Sequence, residues 1–536
     1  MQNPALESVR RGLTPFSEKV WHSLGLSAFI IIVFGPFLAL AVSSAKSILV
    51  GNNSEWLILI LPSARTLKLL IESVVFAGSV SLAGMAFGVM VAIFLWRWQS
   101  RAGTYLRWLV VLLFPIPAYV HTLAWLTATA GASAWMKTRG LIFAPLEGWV
   151  GSWWIQVITL LPLAIALSLV GLSCVSQVLI DASRLLRSGL ETLIKVVLPL
   201  AAPAIIAGAG FLFVLSITEY SVPSLFSKNV YALEIFAEYS TNSIPAKAFL
   251  LSIPLLFISG AVIIFSQSAI RNATLHIGRQ TPNLKSLILP RWFSWLQILC
   301  VAVVLSGLLV PLVSLLVSVG SFKQIFSSVA SASSEIILSF LVALAAAVLC
   351  LPIAWAAARE LVSSKRRSFF WWLIVIFPLA IPASLVGIGL ISMYNMAALG
   401  SFYSSAWMLV LANLARFSSF AALILMAQLR RIDRAQLDAA SLYQKNNFQN
   451  WLKVKLPLFS PGIFAASFIV FALSLGELGA TLIIAPPGKA TLTMRIYNFM
   501  HYGASHEVAG LCFVIALMVI LSGGLAISIF SKERQR

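Results

Sequence analysis

The stretch Asp438-Ala439-Ala440-Ser441-Leu442 runs through polar sequence to Leu456-Pro457, and about half a chain earlier Asp181-Ala182-Ser183 runs likewise to Leu198-Pro199. Pro199 lies 18 residues beyond Asp181, and Pro457 lies 19 beyond Asp438. Each copy is followed by a second proline, Pro203 or Pro461, and then by an acid set in apolar sequence, Glu219 or Glu477. All three later landmarks recur at a spacing of 258 residues. Two copies in register, each bounded by long apolar segments, predict a duplicated helical membrane protein.

Composition supports this expectation. Hydrophobic residues make up 60% of the 536, charged residues only 10%, and mean hydropathy is +0.96, too little polar surface for a water-soluble globule of this length. A hydrocarbon core roughly 30 Å thick needs about 20 apolar residues per helix. Twelve such runs are expected, near 21–44, 70–96, 105–130, 148–172, 200–223, 247–270, 292–318, 336–358, 370–397, 403–428, 457–486 and 506–530. No alternating ten-residue strand pattern competes, so the fold class is all-α, with backbone groups bonded inside each span. The first run is too long for a cleaved signal segment.

The chain carries a net charge of +20, yet its short loops leave no face for nucleic acid. Location explains the charge better. With the N-terminus inside the cell, the loops facing inward hold 26 of the 37 Lys and Arg and the outward ones 10, while Arg416 sits within a span. This bias predicts that both termini and both repeated segments are cytoplasmic. The expected organisation is a first half over 1–270, a basic linker over 271–291 and a second half over 292–536, with the halves related by an axis along the membrane normal. The four cysteines are scattered without CxxC spacing and read as packing residues.

Each repeated segment starts with an aspartate, suited to cap a helix. Small residues follow, then Leu185 in one copy and Leu442 in the other, a polar turn with Gly189 in the first, and Leu-Pro, where proline in a first helical turn costs no hydrogen bond. A short exposed helix of this kind suits the cleft of a partner protein. Within the membrane, Ile116-Pro117-Ala118 is echoed by Ile381-Pro382-Ala383, and these prolines either bend their helices or break them along a pathway. Ionisable residues in lipid are costly, which makes Glu72, Glu219, Arg416 and Glu477 candidates for function. Glu219, with Tyr220 beside it, and Glu477 occupy equivalent positions near the outer ends of their spans, placing them as gate or cation-attracting candidates. Farther outward, Tyr231, Phe236, Tyr239, Tyr497, His501, Tyr502 and His506 offer oxygen and imidazole groups at a membrane interface, without the spacing of a closed metal site.

The two segments resemble the EAA loop of permeases in binding-protein-dependent ABC importers, which reads Glu-Ala-Ala, a glycine four residues after the second alanine, and a terminal Ile-x-Leu-Pro. The second copy matches the spacing through Val454-Lys455-Leu456-Pro457; the first is one residue shorter, and both replace Glu by Asp. The resemblance implies a type I permease with both halves fused. It also implies coupling through Asp181, Ala182, Ser183, Leu185, Gly189, Leu198 and Pro199, and through Asp438, Ala439, Ala440, Leu442, Leu456 and Pro457. It further implies two ATPase subunits on the cytoplasmic side that bind ATP and Mg, an external solute-binding protein, surrounding inner-membrane lipid and no cofactor on this chain. Glu477-Leu478-Gly479-Ala480-Thr481, Ala485-Pro486-Pro487-Gly488 and Thr491-Leu492-Thr493-Met494-Arg495-Ile496-Tyr497 look most like ferric-iron permeases; fused aminoethylphosphonate and thiamine permeases are similar in layout. No GxxxxGK[ST] loop is present, and Gly488-Lys489-Ala490 lacks its hydroxyl residue. An ion-driven carrier would need more buried acids, and HExxH and GxSxG are absent. Asp438→Lys or Ala440→Trp should weaken association with an ATPase subunit in pull-downs, and unchanged recovery with both copies altered would refute the docking role.

Overall fold

The computed structural model describes residues 16–50, 54–61, 63–98, 100–274, 287–363, 365–432, 451–502 and 505–533. Among them the chain is helical without a strand. Ten helices are long and apolar enough to cross a membrane, or up to eleven when one bent pair is counted as a span. Large apolar side chains stand exposed along the bundle, such as Trp21 at 74%, Leu82 at 71% and Val317 at 75%. That surface is suited to lipid and not to water. The chain is an all-α integral membrane protein.

The first six expected spans become α1 (Phe16–Leu49), α2 (Ala64–Arg97), α3 (Arg101–Leu113) with α4 (Ala118–Lys137), α5 (Gly148–Ser173), α7 (Leu198–Ile217) and α9 (Pro245–Thr274). Between them lie α6 (Gln177–Arg184) and α8 (Tyr231–Asn242). The second series is α10 (Arg291–Val319), α11 (Ser333–Leu361), α12 (Lys365–Ile376) with α13 (Ala383–Tyr394), α14 (Trp407–Arg431), α15 (Leu456–Leu475), α16 (Leu492–Tyr502) and α17 (Ser505–Glu533).

Two expected spans are broken, where simple bending was the competing expectation. The run 105–130 divides at Pro117, and the run 370–397 divides at Pro382, where the flanking helices meet at 99°. Solitary prolines such as Pro36, Pro162 and Pro311 stay inside continuous helices. A single missing amide bond is tolerated there. At the breaks two prolines lie close together, Pro115 with Pro117 and Pro378 with Pro382. A proline also drives the residue before it out of the helical region, and Ile381 is accordingly extended at φ −82°, ψ 120°. The expected spans 200–223 and 457–486 likewise stop early, at Ile217 and Leu475. Glu219 and Glu477 therefore occupy turns beyond helix ends and not helical positions.

Equivalent contacts recur in the two series. The Tyr231 amide donates to Ser73 Oγ at 2.8 Å, and the Leu492 amide donates to Ser339 Oγ at 2.8 Å, so a serine near the start of α2 or α11 holds the start of α8 or α16. Beside each lies an ion pair with its signs exchanged, Arg65 to Glu234 at 3.2 Å and Glu335 to Arg495 at 2.6 Å.

The opening helix of each series packs largely on the other series. Helix α1 lies against α11 and α13, while α10 lies against α17, α4, α2 and α5. Ser314 of α10 is 2.5 Å from Thr127 Oγ1 and donates to the Ala124 carbonyl at 2.8 Å; Gln297 accepts from Arg97 at 3.3 Å. On the other side, a Cβ at Gly389 would stand 2.4 Å from the Pro36 carbonyl oxygen. Replacing Gly389 by Leu should therefore force α1 and α13 apart and cost about 1–3 kcal/mol. Thermal unfolding in lipid nanodiscs measures this, with Gly78→Ala, where a Cβ meets nothing within 4 Å, as the control expected to change little.

Candidate functional site: a polar cavity at the two helix breaks and an exposed repeated loop

Both breaks and both acid-bearing turns converge on one cavity of about 230 Å³. Its wall includes Ile116 and Pro117 from the first break, Ile381 and Ala383 from the second, Gln156 and Thr159 of α5, Arg416 of α14, and Glu219, Tyr220, Glu477 and Gly479. Pro382 creates the second break without lining the cavity itself. Glu72 lies elsewhere, exposed on α2 and 3.9 Å from Lys68.

The turn after α15 is built around Glu477, whose side chain is fully buried. Its carboxylate accepts the amides of Ala480 and Thr481, each at 2.9 Å, and is ion-paired with the Arg416 guanidinium. Both oxygens are thereby engaged, and free backbone donors at the start of the short helix Thr481–Ile484 are satisfied. Glycines let this turn approach its neighbours: a Cβ at Gly476 would lie 2.7 Å from Pro117 Cγ, and one at Gly479 would lie 2.5 Å from Ala383 Cβ.

The turn after α7 follows the same plan with different side chains. Glu219 Oε1 accepts the Ser221 amide at 2.8 Å and the Ser221 hydroxyl, and among the described residues no cation pairs with it. Tyr220 closes the space between the two turns. Its hydroxyl donates to the Gly479 carbonyl at 3.2 Å, and its ring stacks on Phe236 with centroids 5.3 Å apart. Arg416 and Thr159 are 257 residues apart, the spacing of Asp181 and Asp438, so a cation in one series faces a hydroxyl in the other. Gln156 adds a polar group, its Oε1 accepting from Ser216 Oγ at 2.5 Å. Gln156 and Thr159 carry no linear signal, since one polar residue in an apolar span is common.

The repeated polar segment is described for the first copy. Asp181 does not begin its helix: α6 starts at Gln177, with Ser176 at the N-cap, and Asp181 lies in its second turn, accepting from Gln177 Nε2 at 2.8 Å. The expected capping role instead falls to Ser188, which forms a capping box with Glu191 at the start of the short helix Gly189–Thr192. Lys195, 3.0 Å from Glu191, and the Ser188 cap hold the Glu191 carboxyl below its ordinary range. Ser183 and Thr192 hydroxyls, 3.1 Å apart, tie the two helical pieces together, and Leu185 and Leu186 project at 86% and 87% exposure. Gly189 serves a close approach: a Cβ there would lie 2.2 Å from the Ile288 carbonyl. Ala182 is exposed on α6, and Leu198 and Pro199 open α7. Asp438, Ala439, Ala440 and Leu442 lie outside the described residues, whereas Leu456 and Pro457 open α15.

Among the described residues no three His, Cys, Asp or Glu side chains gather as a metal site. Of the outer aromatic set, Tyr231 is buried and donates to the Leu251 carbonyl at 2.9 Å. The side chains of His501, Tyr502 and His506 lie outside the described residues. Replacing Arg416 by Met strands the Glu477 carboxylate in the bundle. The expected cost is about 3–5 kcal/mol, with much of it recovered in Arg416→Met combined with Glu477→Gln, read by thermal unfolding.

No protein-family model matches the chain. Among curated proteins, it is 23% identical over 482 residues to the Fe(3+)-transport system permease protein FbpB 2 of Haemophilus influenzae, covering 87% of this chain and 90% of that one. It is 30% identical over 144 residues to PhnV of Salmonella typhimurium, named for a 2-aminoethylphosphonate transport system, covering 27% of this chain and 54% of that permease. A similarly named protein, PhnU of Salmonella typhi, is 31% identical over 116 residues, covering 22% and 39%. The chain thus spans about half the length of the PhnV relatives it matches.

Proposed function

The chain is a homologue of ABC permease subunits, and from that premise we propose that it is the pore of an ATP-driven importer, with residues 1–270 and 292–536 as two fused permease halves. The observation that carries this proposal is the cavity, where a broken helix and an acid-bearing turn from each half meet. Irregular backbone at membrane depth is stable only where protein or water surrounds it, and such places are where solutes bind and pass.

On this proposal α6 and the repeated segment around Asp438 are the docking sites for two ATPase subunits, which bind ATP and Mg and hydrolyse ATP on the cytoplasmic side. The exposure of Leu185 and Leu186 beside Ala182 supports the role for the first copy. Closure of the ATPases moves the halves against one another, and the Tyr220–Gly479 bond, which joins them, is part of the outward gate. A separate external binding protein delivers the solute. Both termini face the cytoplasm of a bacterial inner membrane. The names of the relatives suggest two solute classes, iron(III) and an aminoalkylphosphonate.

Reconstitution with a candidate ABC ATPase subunit tests the proposal. Solute should accumulate in vesicles only with ATP. Leu185→Asp with Leu186→Asp should lower ATPase recovery and uptake about tenfold, as expected when an apolar contact is replaced by charge. Uptake driven by a proton or sodium gradient without the ATPase would establish a secondary carrier instead.

A further inference from the structure

Residues 287–290, which lead into α10, lie against the first repeated segment. Leu287 is 1% exposed and Leu289 8%, and both belong to the apolar cluster that holds Ile180 of α6 with Leu193 and Val197 of the run into α7. Between them Ile288 stands 85% exposed. These residues are not helical, and Pro290 is extended at φ −58°, ψ 151°. The in-out-in alternation is that of an extended strip laid along a surface. Its seat is Gly189, where a Cβ would meet the Ile288 carbonyl oxygen at 2.2 Å and the Ile288 amide nitrogen at 3.0 Å. Only a residue without a side chain lets the strip lie so close.

The position of Ile288 argues against lipid as its cover. Helix α7 has 20 residues and by itself crosses about 30 Å, the thickness of a hydrocarbon core. Gly189 begins the helical run 189–197 that precedes α7, so the strip lies beyond that core. There Ile288 adjoins the loop that carries exposed Leu185 and Leu186. The uncommitted charge around this apolar patch is cationic. Asp181 accepts from Gln177 and lies 3.8 Å from Arg184, and Glu191 is held by Lys195 and by the Ser188 cap. Exposed Arg187 and Arg291 have no acid paired to them among the described residues. A protein surface with an apolar recess and acidic edges is complementary to such a patch.

We propose that Ile288 completes the first docking site, so that the ATPase subunit seated on α6 also holds the strip leading into α10. This rests on the docking role proposed above. Helix α10 packs on α2, α4 and α5 and on α17, so displacement of the strip reaches helices of both series.

The full chain in nanodiscs is titrated, without nucleotide, with a purified candidate ABC ATPase subunit. Asp438→Lys with Ala440→Trp serves as the background, so that the remaining binding reports the first site. There Ile288→Asp should weaken binding about tenfold, as expected for one apolar side chain replaced by a charge at a contact. Ile288→Val should retain binding, and so should Ile142→Asp, a change at a fully exposed residue of the loop before α5. Photoreactive benzoylphenylalanine in place of Ile288, in the otherwise unaltered chain, records independently what covers this position, and cross-links to the ATPase are expected. Cross-links to phospholipid alone overturn the proposal. Unchanged affinity of Ile288→Asp, where Leu185→Asp with Leu186→Asp weakens binding, also overturns it and leaves the docking role of α6 standing. Unchanged affinity in both variants ends the docking role as well, and no binding by the unaltered chain counts against both.

Discussion

The carboxylate of Glu477 makes the interior of this protein feasible. A chain that stops one helix inside an apolar bundle and begins another exposes, at the new start, amides that lipid cannot bond. Glu477 takes up two of those amides, and the charge it brings is balanced by Arg416. With the turn held, Gly476 and Gly479 can press against Pro117 and Ala383, and the cavity wall is complete. Glu219 and Ser221 do the same work on the other side, with no cation among the described residues paired to Glu219.

Duplication and asymmetry operate at different levels here. The serine-to-amide contacts at Ser73 and Ser339 are copies, and an ion pair lies beside each with its signs exchanged, in register only at Glu234 and Arg495. Backbone geometry is thus repeated, while side chains at equivalent cavity positions have diverged, Thr159 against Arg416 being the clearest instance. A symmetric lining would present the same chemistry twice; this one offers a different group from each side.

Much of this architecture is legible in the sequence because it depends on local or periodic signals. Apolar runs of membrane length mark the spans, and the repeated Leu-Pro and acid landmarks fix their register. Those same signals mislead where tertiary context takes over. Apolar character continues past Ile217 and Leu475, so hydropathy alone extends these spans through turns that a buried carboxylate stabilises. Asp181 looks like a helix cap from its neighbours, but Ser176 stands at the helix start and Ser188 at that of the following short one. The pairing of Arg416 with Glu477 joins residues 61 apart, and the unpaired amide of Gln156 has no signature before the chain is folded.

The crossing of α1 and α10 onto the opposite series has a bearing on biogenesis. Helix α1 leaves the ribosome more than three hundred residues before α13, whose Gly389 receives it at Pro36. In the interval α9 and then α11 can pack on it, but the face that meets Gly389 has only lipid or insertion machinery to cover it, so the N-terminal half reaches its final packing after part of the C-terminal half has been synthesised. Maturation in the membrane therefore proceeds as a late interlocking of both halves, and a nascent chain arrested before α13 would present quality-control proteases with an unclaimed helix face.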